Sequence, residues 1–543
     1  MKLCKFVDLC LSTIGVDKIF GIPGALIMPV WQSITNKEVI LCSHEQEASY
    51  VATGYAKSTR KPVCVITTGG PGVTNCLSGI ASANIDSIPL IFISGKTPVG
   101  KKGLGLRQEE SQFNRLYDSN VLLKDITKIS VCISEIHSAA QIIWDTMKMA
   151  VDQRKGAVHI SIPIDLQNKE IVIPTLNNCF ENHTFVFMNK VPISERPLFM
   201  LGWGSWMADA YQAVYKLAER VNAPVLVSSK AYCCICRDNR MFLGKLGYGY
   251  HSGINEFINM YKPDSIVGFG SSFGEKDIKN TVVGELIEKV PTYLIADDCS
   301  FLNGKQSKII PIETRNMKQF VIELIGCSPE FDINEKRAQQ IQKVKRKSTV
   351  YWHSKILSSD LMAKCIEYVN EVICDTNVVF ADAGNHLANT GALITPKYFG
   401  GMFLDVGLRA MGTGICTAVG MAIADKTKTY IAITGDGCML MNGNVMHLTF
   451  EKKLPIVFVV FNNRSLGRVR VGQSLMDDYR GSDINHVDFV QYGRAFGLIA
   501  NRCKSLSEFK KIFSQAIHKK APYLIEIITQ KNEIPVSIKE NIY

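Results

Sequence analysis

The sequence of 543 residues has no apolar run that approaches the ~18 residues of a membrane span. No N-terminal stretch is typical of a signal peptide, because Asp8 interrupts the apolar segment and no small-residue cleavage site follows. The 61 Lys and Arg residues outnumber the 50 Asp and Glu residues, but no basic stripe with interleaved aromatic residues is present. These absences predict a cytoplasmic protein that binds neither membrane nor nucleic acid.

A second pair of zinc ligands is also lacking. The chain has 17 cysteines scattered through apolar segments, and its C-x-x-C lies at Cys233–Cys236. A structural zinc site normally needs another pair of Cys or His ligands at similar spacing. Without a secretory signal, reduced and buried thiols are expected, so the cysteines are interpreted as core residues.

Strand-like apolar runs alternate with helical segments along the chain, which predicts an α/β protein with parallel sheets. This length also exceeds a single hydrophobic core. The predicted strands are Val39–Cys42, Val63–Thr67, Leu90–Ser94, Ala157–Ile162, 196–202, Val225–Ser228, Ser265–Phe269, Thr292–Ala296, Val378–Phe380, Tyr430–Thr434 and Ile456–Phe461. The basic stretch Asn334–Thr349 is predicted to be an exposed helical connection without a core face.

The stretch Gly435–Asn463 carries the most specific chemistry. It places Gly-Asp-Gly after one apolar strand and Asn-Asn after the next. Asp436 offers a carboxylate oxygen and Asn463 an amide oxygen to a divalent cation such as Mg²⁺, which often also binds phosphate oxygens of a ligand. The amides of the following helix could share that negative charge. An isolated Gly-Asp-Gly, however, is usually a plain turn.

The whole segment is similar to the thiamine-diphosphate signature, which opens with GDG and closes with NN. In addition, His44-Glu45-Gln46, Gly54-Tyr55-Ala56 and 70–75 resemble the HEQ, GYA and GPGxTN motifs of acetolactate synthases and their relatives. The similarity runs from Phe20 to Gly95 and resumes from Asp382. It implies three doubly wound parallel-sheet domains: a pyrimidine-binding domain at 1–170, a middle domain at 190–330, and a diphosphate- and Mg-binding domain at 351–543.

The resemblance implies thiamine diphosphate (ThDP) and Mg²⁺ as cofactors. Glu45 would contact N1′ of the aminopyrimidine and activate the cofactor, and Met411 would hold its two rings in shape. Asp436, Asn463 and the backbone carbonyl of Ser465 would bind the metal. The cofactor-binding candidates are Gly24, Glu45, Pro71, Asn75, Gly384, Asn385, His386, Arg409, Met411, Gly435, Gly437, Cys438, Asn463, Leu466 and Gly467.

The chain departs from acetolactate synthases around the implied substrate pocket. Arg468 replaces an apolar Met and Gly472 replaces a Trp, which predicts a wider and more cationic pocket. Lys96 replaces the usual Gln after Ser-Gly, and the polar segment 101–115 offers further side chains, with a solvated loop as its alternative. The candidate catalytic residues are Glu45, Gln112 and Lys96, and the candidate substrate contacts are Lys96, Arg107, Gln108 and Arg468.

The implied reaction is decarboxylation of a 2-oxo acid and transfer of the acyl fragment to a carbonyl acceptor. Simple decarboxylases of this superfamily use a paired His-His, whereas none of the ten histidines here is adjacent to another. A decarboxylase that releases an aldehyde and a C–C hydrolase stay open as alternatives. A non-catalytic paralogue is disfavoured, because it would need neither Glu45 nor the metal pair.

The resemblance also bears on assembly and on a third cofactor. In that family one cofactor bridges two subunits, which implies a homodimer or homotetramer with shared active sites. The segment Leu246–His251 partly resembles the family's flavin-contact segment, but Ser272-Phe273-Gly274 lacks the expected Arg. FAD is therefore an alternative that the sequence disfavours.

Overall fold

The computed structural model describes residues 1–101, 103–110, 117–176, 191–302, 308–330 and 335–538. These residues form three six-stranded sheets in which neighbouring strands are parallel. Helices alternate with the strands along the chain. The predicted fold class, α/β with three parallel-sheet domains, is confirmed.

The first sheet is covered on one side by an apolar cluster that includes Phe6, Trp144 and Ile91. Its strands are β1 (Lys18–Ile22), β2 (Glu38–Leu41), β3 (Val63–Thr67), β4 (Leu90–Lys96), β5 (Ile129–Cys132) and β6 (Val158–Pro163), in the order β2-β1-β3-β4-β6-β5. Its helices are α1 (Leu3–Thr13), α2 (Met28–Ser33), α3 (Glu45–Thr59), α4 (Pro71–Ile85), α5 (Ser119–Lys124) and α6 (Ile136–Val151).

The second sheet has the strand order β12-β11-β10-β7-β8-β9, from β7 (Pro197–Leu201), β8 (Val225–Val227), β9 (Phe242–Lys245), β10 (Ser265–Phe269), β11 (Thr292–Ala296) and β12 (Ile309–Glu313). Its helices are α7 (Trp203–Met207), α8 (Tyr211–Arg220), α9 (Ser252–Tyr261), α10 (Glu275–Ile278), α11 (Val282–Ile287) and α12 (Met317–Cys327). The connection that follows is helix α13 (Glu335–Ser354). The prediction that it lacks a core face is wrong, because Ala338, Ile341 and Val344 are buried at helical spacing.

The third sheet has the strand order β14-β13-β15-β16-β18-β17, from β13 (Asn377–Ala381), β14 (Met402–Leu404), β15 (Thr429–Gly435), β16 (Ile456–Asn462), β17 (Ile499–Cys503) and β18 (Tyr523–Ile528). The last part of the chain also contains α14 (Leu361–Val372), α15 (Asn385–Leu393), α16 (Thr413–Ala424), α17 (Asp436–Asn442), α18 (Met446–Glu451), α19 (Gly467–Gln473), α20 (Phe489–Ala495) and α21 (Leu506–Lys519). The carboxyl ends of β13, β15 and β16, and the loops and helix starts that follow them, carry most of the predicted cofactor residues.

The chain divides into two compact units. Unit 1 comprises Met1–Thr184, Gly407–Lys426 and Asn442–Leu454, and it contains the first sheet with α16 and α18. Unit 2 comprises Phe185–Val406, Thr427–Met441 and Pro455–Tyr543, and it contains the second and third sheets. The predicted domain limits stay predictions. Within the described ranges, no helix is long and apolar enough to cross a membrane.

Helices α3 and α16 pack backbone against backbone within unit 1. A Cβ atom on Gly54, the glycine of the GYA motif, would lie 2.1 Å from the carbonyl oxygen of Thr417. A Cβ on Gly420 would lie 2.0 Å from the carbonyl oxygen of Val51. The motif glycine is therefore explained by this close approach, which fixes the helix that begins with Glu45.

We expect Gly54→Ala to destabilise unit 1 by about 1–3 kcal/mol or more, because a methyl group must push two helix backbones apart. A lower denaturant midpoint for unfolding would record the loss. The matched control is Gly326→Ala in α12, where a Cβ meets no atom within 4 Å; it should leave the midpoint unchanged or slightly raised. Equal midpoints for the two variants would contradict the packing account.

Candidate active site

Glu45 lies at the start of α3 in unit 1, with its side chain half-buried. The helix is capped by His44, whose Nδ1 accepts a hydrogen bond from the backbone N–H of Gln46 at 3.1 Å. The Glu45 Oε2 atom accepts a hydrogen bond from Asn75 Nδ2 at 2.9 Å. The HEQ and GPGxTN motifs thus meet in space. Oε1 makes no hydrogen bond within the described part of the chain, so one oxygen is held and the other can accept a ligand proton.

A second carboxylate on α3 was not identified from the sequence. Glu47 is fully buried and accepts hydrogen bonds from Ser43 Oγ and from Asn444 Nδ2, the latter at 2.7 Å. Desolvation raises the pKa of Glu47, although the Ser43 hydrogen bond acts to lower it. In sequence Glu47 looks like any solvated acid in a first helical turn. Only the fold, which brings Asn444 of unit 1 against it, reveals that it is buried.

Asp436 and Asn463 meet at the carboxyl ends of neighbouring strands β15 and β16 in unit 2. Both side chains are buried. Asp436 Oδ2 and Asn463 Oδ1 both accept the backbone N–H of Ser465, at 3.3 and 3.1 Å. Asp436 Oδ1 accepts the backbone N–H of Gly437 at 2.8 Å. The structure therefore brings together the three residues predicted to bind metal.

This oxygen set fits a small, hard cation. No Lys or Arg pairs with Asp436, and no group of three His, Cys, Asp or Glu side chains gathers elsewhere, among the residues that the structure describes. Desolvation raises the pKa of Asp436 to about 6, against the opposing effect of backbone hydrogen bonds such as that from Gly437. A divalent cation would supply positive charge, and one carboxylate with amide and carbonyl oxygens suits Mg²⁺.

Gly384, Asn385 and His386 form the turn into α15 in unit 2. Gly384 has a φ of 152°, and a Cβ there would lie 2.4 Å from His386 Cε1. Asn385 Oδ1 and His386 Nε2 are buried and lack a hydrogen-bond partner within the described ranges. Burial lowers the pKa of His386 to about 3, and a hydrogen bond to the Asp382 backbone opposes the shift. Buried polar atoms normally find partners, so a ligand with phosphate oxygens fits this helix start.

Further cofactor candidates of unit 2 surround these residues: Gly435, Gly437, Cys438, Leu466 and Gly467. Cys438 Sγ donates to the backbone carbonyl of Ala383 at 3.0 Å, which ties α17 to the loop after β13. A Cβ on Gly467 would lie 2.9 Å from Asn385 Nδ2 and 3.0 Å from Asn463 Nδ2. The loops after β13, β15 and β16 therefore pack against one another.

The remaining cofactor candidates lie in unit 1. Gly24 follows β1, and Pro71 is the first residue of α4. Arg409 is exposed with a φ of 62°, and Met411 is half-buried immediately before α16. The roles that the resemblance gives these four residues stay predictions.

Lys96 ends β4 and lines a cavity of about 650 Å³ within unit 1. Its ammonium lies 3.0 Å from Asn120 Oδ1, 3.3 Å from Asp118 Oδ1 and 3.4 Å from Glu110 Oε2. Desolvation acts to lower the pKa of Lys96, but Glu110, Cys132 and Asp118 together outweigh it, and the pKa is raised. Lys96 is thus a protonated cation in a cavity of ligand size.

The other substrate candidates differ in their surroundings. Arg107 is exposed, whereas Gln108 is half-buried and its Oε1 accepts a hydrogen bond from Thr68 Oγ1 at 2.7 Å. Arg468 is exposed on α19 in unit 2, and its guanidinium has no ion pair within the described ranges. Gln112 lies outside the described residues. Among these candidates, Lys96 is the residue that the described part of the chain places in the cavity of about 650 Å³.

The segment that partly resembles a flavin contact follows β9 in unit 2. Residues Gly247–Gly249 form a 3₁₀ turn beside a cavity of about 620 Å³. Lys276 Nζ donates to Tyr248 Oη at 2.8 Å and lies 3.9 Å from the ring centroid. The loop 272–274 turns Phe273 into the core instead of presenting a cation. The site therefore lacks the Arg that the resemblance would require for FAD.

Comparison with known proteins adds to this geometry. The chain matches three sequence models of thiamine pyrophosphate enzymes: the N-terminal TPP binding domain at residues 1–116, the central domain at 191–290 and the C-terminal TPP binding domain at 382–527. The first match includes Glu45 and Asn75, and the last includes Asp436, Asn463 and Ser465.

Full-length relatives are also similar. The chain is 27% identical to the acetolactate synthase isozyme 2 large subunit of Escherichia coli K12, over 97% of this chain and 95% of the relative. It is 25% identical to the isozyme 1 large subunit of the same organism, over 96% and 93%. It is 26% identical to the probable acetolactate synthase large subunit of Methanocaldococcus jannaschii, over 98% and 93%.

Proposed function

The chain belongs to the thiamine pyrophosphate enzyme family, and on this premise we propose that it uses ThDP and Mg²⁺ to decarboxylate a 2-oxo acid and join the acyl fragment to a carbonyl acceptor. The observation that carries the proposal is the convergence of Asp436 Oδ2 and Asn463 Oδ1 on the Ser465 amide. Relatives named acetolactate synthases support a carboligase. The absence of a paired His-His supports it against a simple decarboxylase.

Each proposed role follows from the chemistry of a side chain. Asp436, Asn463 and the Ser465 carbonyl hold Mg²⁺, and the start of α15 at His386 receives the diphosphate. Glu45, held at Oε2 by Asn75, keeps a proton-accepting oxygen at the aminopyrimidine. Bound ThDP supplies the carbon nucleophile and the electron sink, which the protein itself lacks. Met411 shapes the cofactor, and a homodimer or homotetramer completes the shared sites.

The proposed substrate pocket is more cationic than that of acetolactate synthases. Lys96 keeps its proton in a cavity of about 650 Å³, and Arg468 has no ion pair within the described ranges. The Arg468 guanidinium suits the carboxylate of a 2-oxo acid or an anionic acceptor. Lys96 is proposed to contact substrate while its ammonium stays paired with Glu110 and Asp118. Gln112, Arg107 and Gln108 are proposed to contact substrate as well.

The test is incubation of the purified chain with ThDP, Mg²⁺ and a panel of 2-oxo acids, with and without aldehyde or ketone acceptors. Release of CO₂ together with a product whose mass equals that of the 2-oxo acid plus the acceptor minus CO₂ would support the carboligase. Release of CO₂ with free aldehyde would favour the alternative decarboxylase, and cleavage without CO₂ would favour a C–C hydrolase. The visible spectrum of the protein as purified tests FAD, and we expect no flavin bands.

We expect Arg468→Ala to raise the KM for the accepted 2-oxo acid or acceptor about tenfold, the equivalent of 1.4 kcal/mol, because a cation that pairs with the substrate is lost. Steady-state kinetics on the substrate identified by the panel would measure it. The control is Arg480→Ala, which removes an exposed Arg that already pairs with Asp478. An Arg468→Ala enzyme with an unaltered KM would remove Arg468 from the substrate site.

A further inference from the structure

Lys245, the last residue of β9 in the second sheet, is buried with 2% exposure. Its ammonium donates hydrogen bonds to the backbone carbonyls of Gly391, Ala392 and Ile394, at 2.8, 2.7 and 3.0 Å. No carboxylate lies within ion-pair distance of Lys245 among the described residues. The buried ammonium thus donates all three of its hydrogen bonds to backbone carbonyls within residues 391–394 of unit 2.

That stretch is the carboxyl end of α15. The last carbonyls of a helix lack intrahelical partners, and the helix dipole places partial negative charge there. Lys245 satisfies both the hydrogen-bonding need and the charge. The Tyr248 side chain packs against the same end, because a Cβ on Gly391 would lie 2.7 Å from Tyr248 Cβ. Lys245 and the segment that follows β9 therefore contact α15 at its last turn.

The opposite end of α15 is the candidate diphosphate site. The helix spans nine residues, Asn385–Leu393, so its two ends are about 13 Å apart at 1.5 Å per residue. Its first turn carries the buried Asn385 Oδ1 and His386 Nε2 atoms, which have no hydrogen-bond partner among the residues that the structure describes. A rigid helix transmits a displacement of one end to the other. What fixes the last turn of α15 therefore also fixes the position of His386.

Burial of this ammonium is costly, since desolvation lowers the pKa of Lys245 to about 7. Replacement of a whole buried ion pair by apolar side chains is often neutral for the fold, but an apolar side chain in place of Lys245 alone would leave three carbonyls without their donor. Lys245→Met is therefore expected to lower stability as well as to release the last turn of α15. Unlike Met, the ammonium of Lys245 has N–H donors, and these hold the three carbonyls in a fixed orientation.

We propose that Lys245 is a positioning residue that connects the second sheet to the last turn of α15. By holding this helix in place, it sets the affinity of the helix start at His386 for the cofactor diphosphate. This inference rests on the proposed function. Lys245 touches neither cofactor nor substrate, and it acts only through the helix.

Lys345 provides a matched comparison within unit 2. It lines the same cavity of about 320 Å³ as Lys245, and burial lowers its pKa to about 8. Its ammonium also donates to backbone carbonyls, those of Arg237 and Asn239, at 2.8 and 3.0 Å. Neither carbonyl belongs to α15. Lys345→Met therefore removes an equivalent cation without releasing the helix.

The experiment measures the Kd for ThDP at saturating Mg²⁺ by calorimetry, with full-length wild type, Lys245→Met and Lys345→Met. We expect Lys245→Met to raise the Kd on the order of tenfold to a hundredfold, as loss of a positioning partner typically does. Its kcat at saturating ThDP should stay close to that of wild type, and its unfolding midpoint should fall by an amount comparable to that of Lys345→Met, which also leaves carbonyls without their donor. Lys345→Met should leave the Kd unchanged.

An unchanged Kd in Lys245→Met, or an equal rise in Lys345→Met, would overturn the inference. If Lys245→Met does not fold, the Kd for ThDP is measured with Lys245→Gln instead. Its neutral amide can donate to at most two of the three carbonyls. A wild-type Kd in the Gln variant would overturn the role of the charge. A wild-type protein that binds no ThDP would instead refute the proposed function, so the two failures are distinguishable.

Discussion

Glu45→Gln is expected to lower kcat by about 10²–10⁴-fold, the usual contribution of a positioned proton-transfer group, while the Kd for ThDP stays nearly constant. The amide keeps the shape of the side chain and can still accept the hydrogen bond from Asn75 Nδ2 that the carboxylate accepts at 2.9 Å. It cannot take up a proton at the free Oε1 position. Single-turnover kinetics with a 2-oxo acid, combined with calorimetric ThDP binding, would separate activation from binding.

Glu47→Gln is the matched control for that experiment. Glu47 lies on the same first turn of α3, but it contacts Ser43 and Asn444 rather than Asn75. Desolvation raises its pKa, so the neutral amide resembles the form that burial favours. We expect turnover close to wild type. If both variants lost activity equally, loss of charge at the helix start would explain the result and the role of Glu45 would fail.

Most interior strands could be predicted from the sequence, because buried parallel strands are continuous apolar runs, but the interior strands β1 and β18 were missed. Val63–Thr67 and Ser265–Phe269 have the predicted limits in the structure. Most edge strands were missed. The edge strands β5, β12 and β17 are only partly buried, so their sequences lack the apolar run that marks a central strand. The missed edge strands β9 and β14 are buried but have only four and three residues.

The cofactor motifs could be predicted because their residues are close in sequence or fixed by a known spacing. Long-range partnerships could not be predicted. Glu47 pairs with Asn444, which is 397 residues away, and Lys245 pairs with carbonyls that are 146 to 149 residues away. In a sequence, a Lys at the end of a strand normally indicates a solvent-exposed residue. Its burial depends on which helix the fold places over it, and no local pattern encodes that.

Asp436→Ala is expected to abolish Mg²⁺-dependent ThDP binding and, with it, all turnover. Asp436 is the single carboxylate in the candidate metal set, and Mg²⁺ is held mainly by charged or carbonyl oxygens. The substitution also removes the acceptor that the backbone N–H of Gly437 uses at 2.8 Å, and it leaves the N–H of Ser465 with Asn463 Oδ1 as its acceptor. Calorimetric titration of ThDP at several Mg²⁺ concentrations would measure the loss.

Asp436→Asn separates the metal from the loop geometry. The amide oxygen can still accept one of the two N–H groups, so the turn between β15 and α17 is largely preserved, but the negative charge is lost. We therefore expect weak ThDP binding that higher Mg²⁺ concentrations partly restore in the Asn variant and do not restore in the Ala variant. Equal, Mg²⁺-independent ThDP binding in wild type and both variants would show that Asp436 holds no metal. Because desolvation already raises the pKa of this carboxyl to about 6, its ionised form is costly in the protein alone, and a bound cation is the group that would offset that cost.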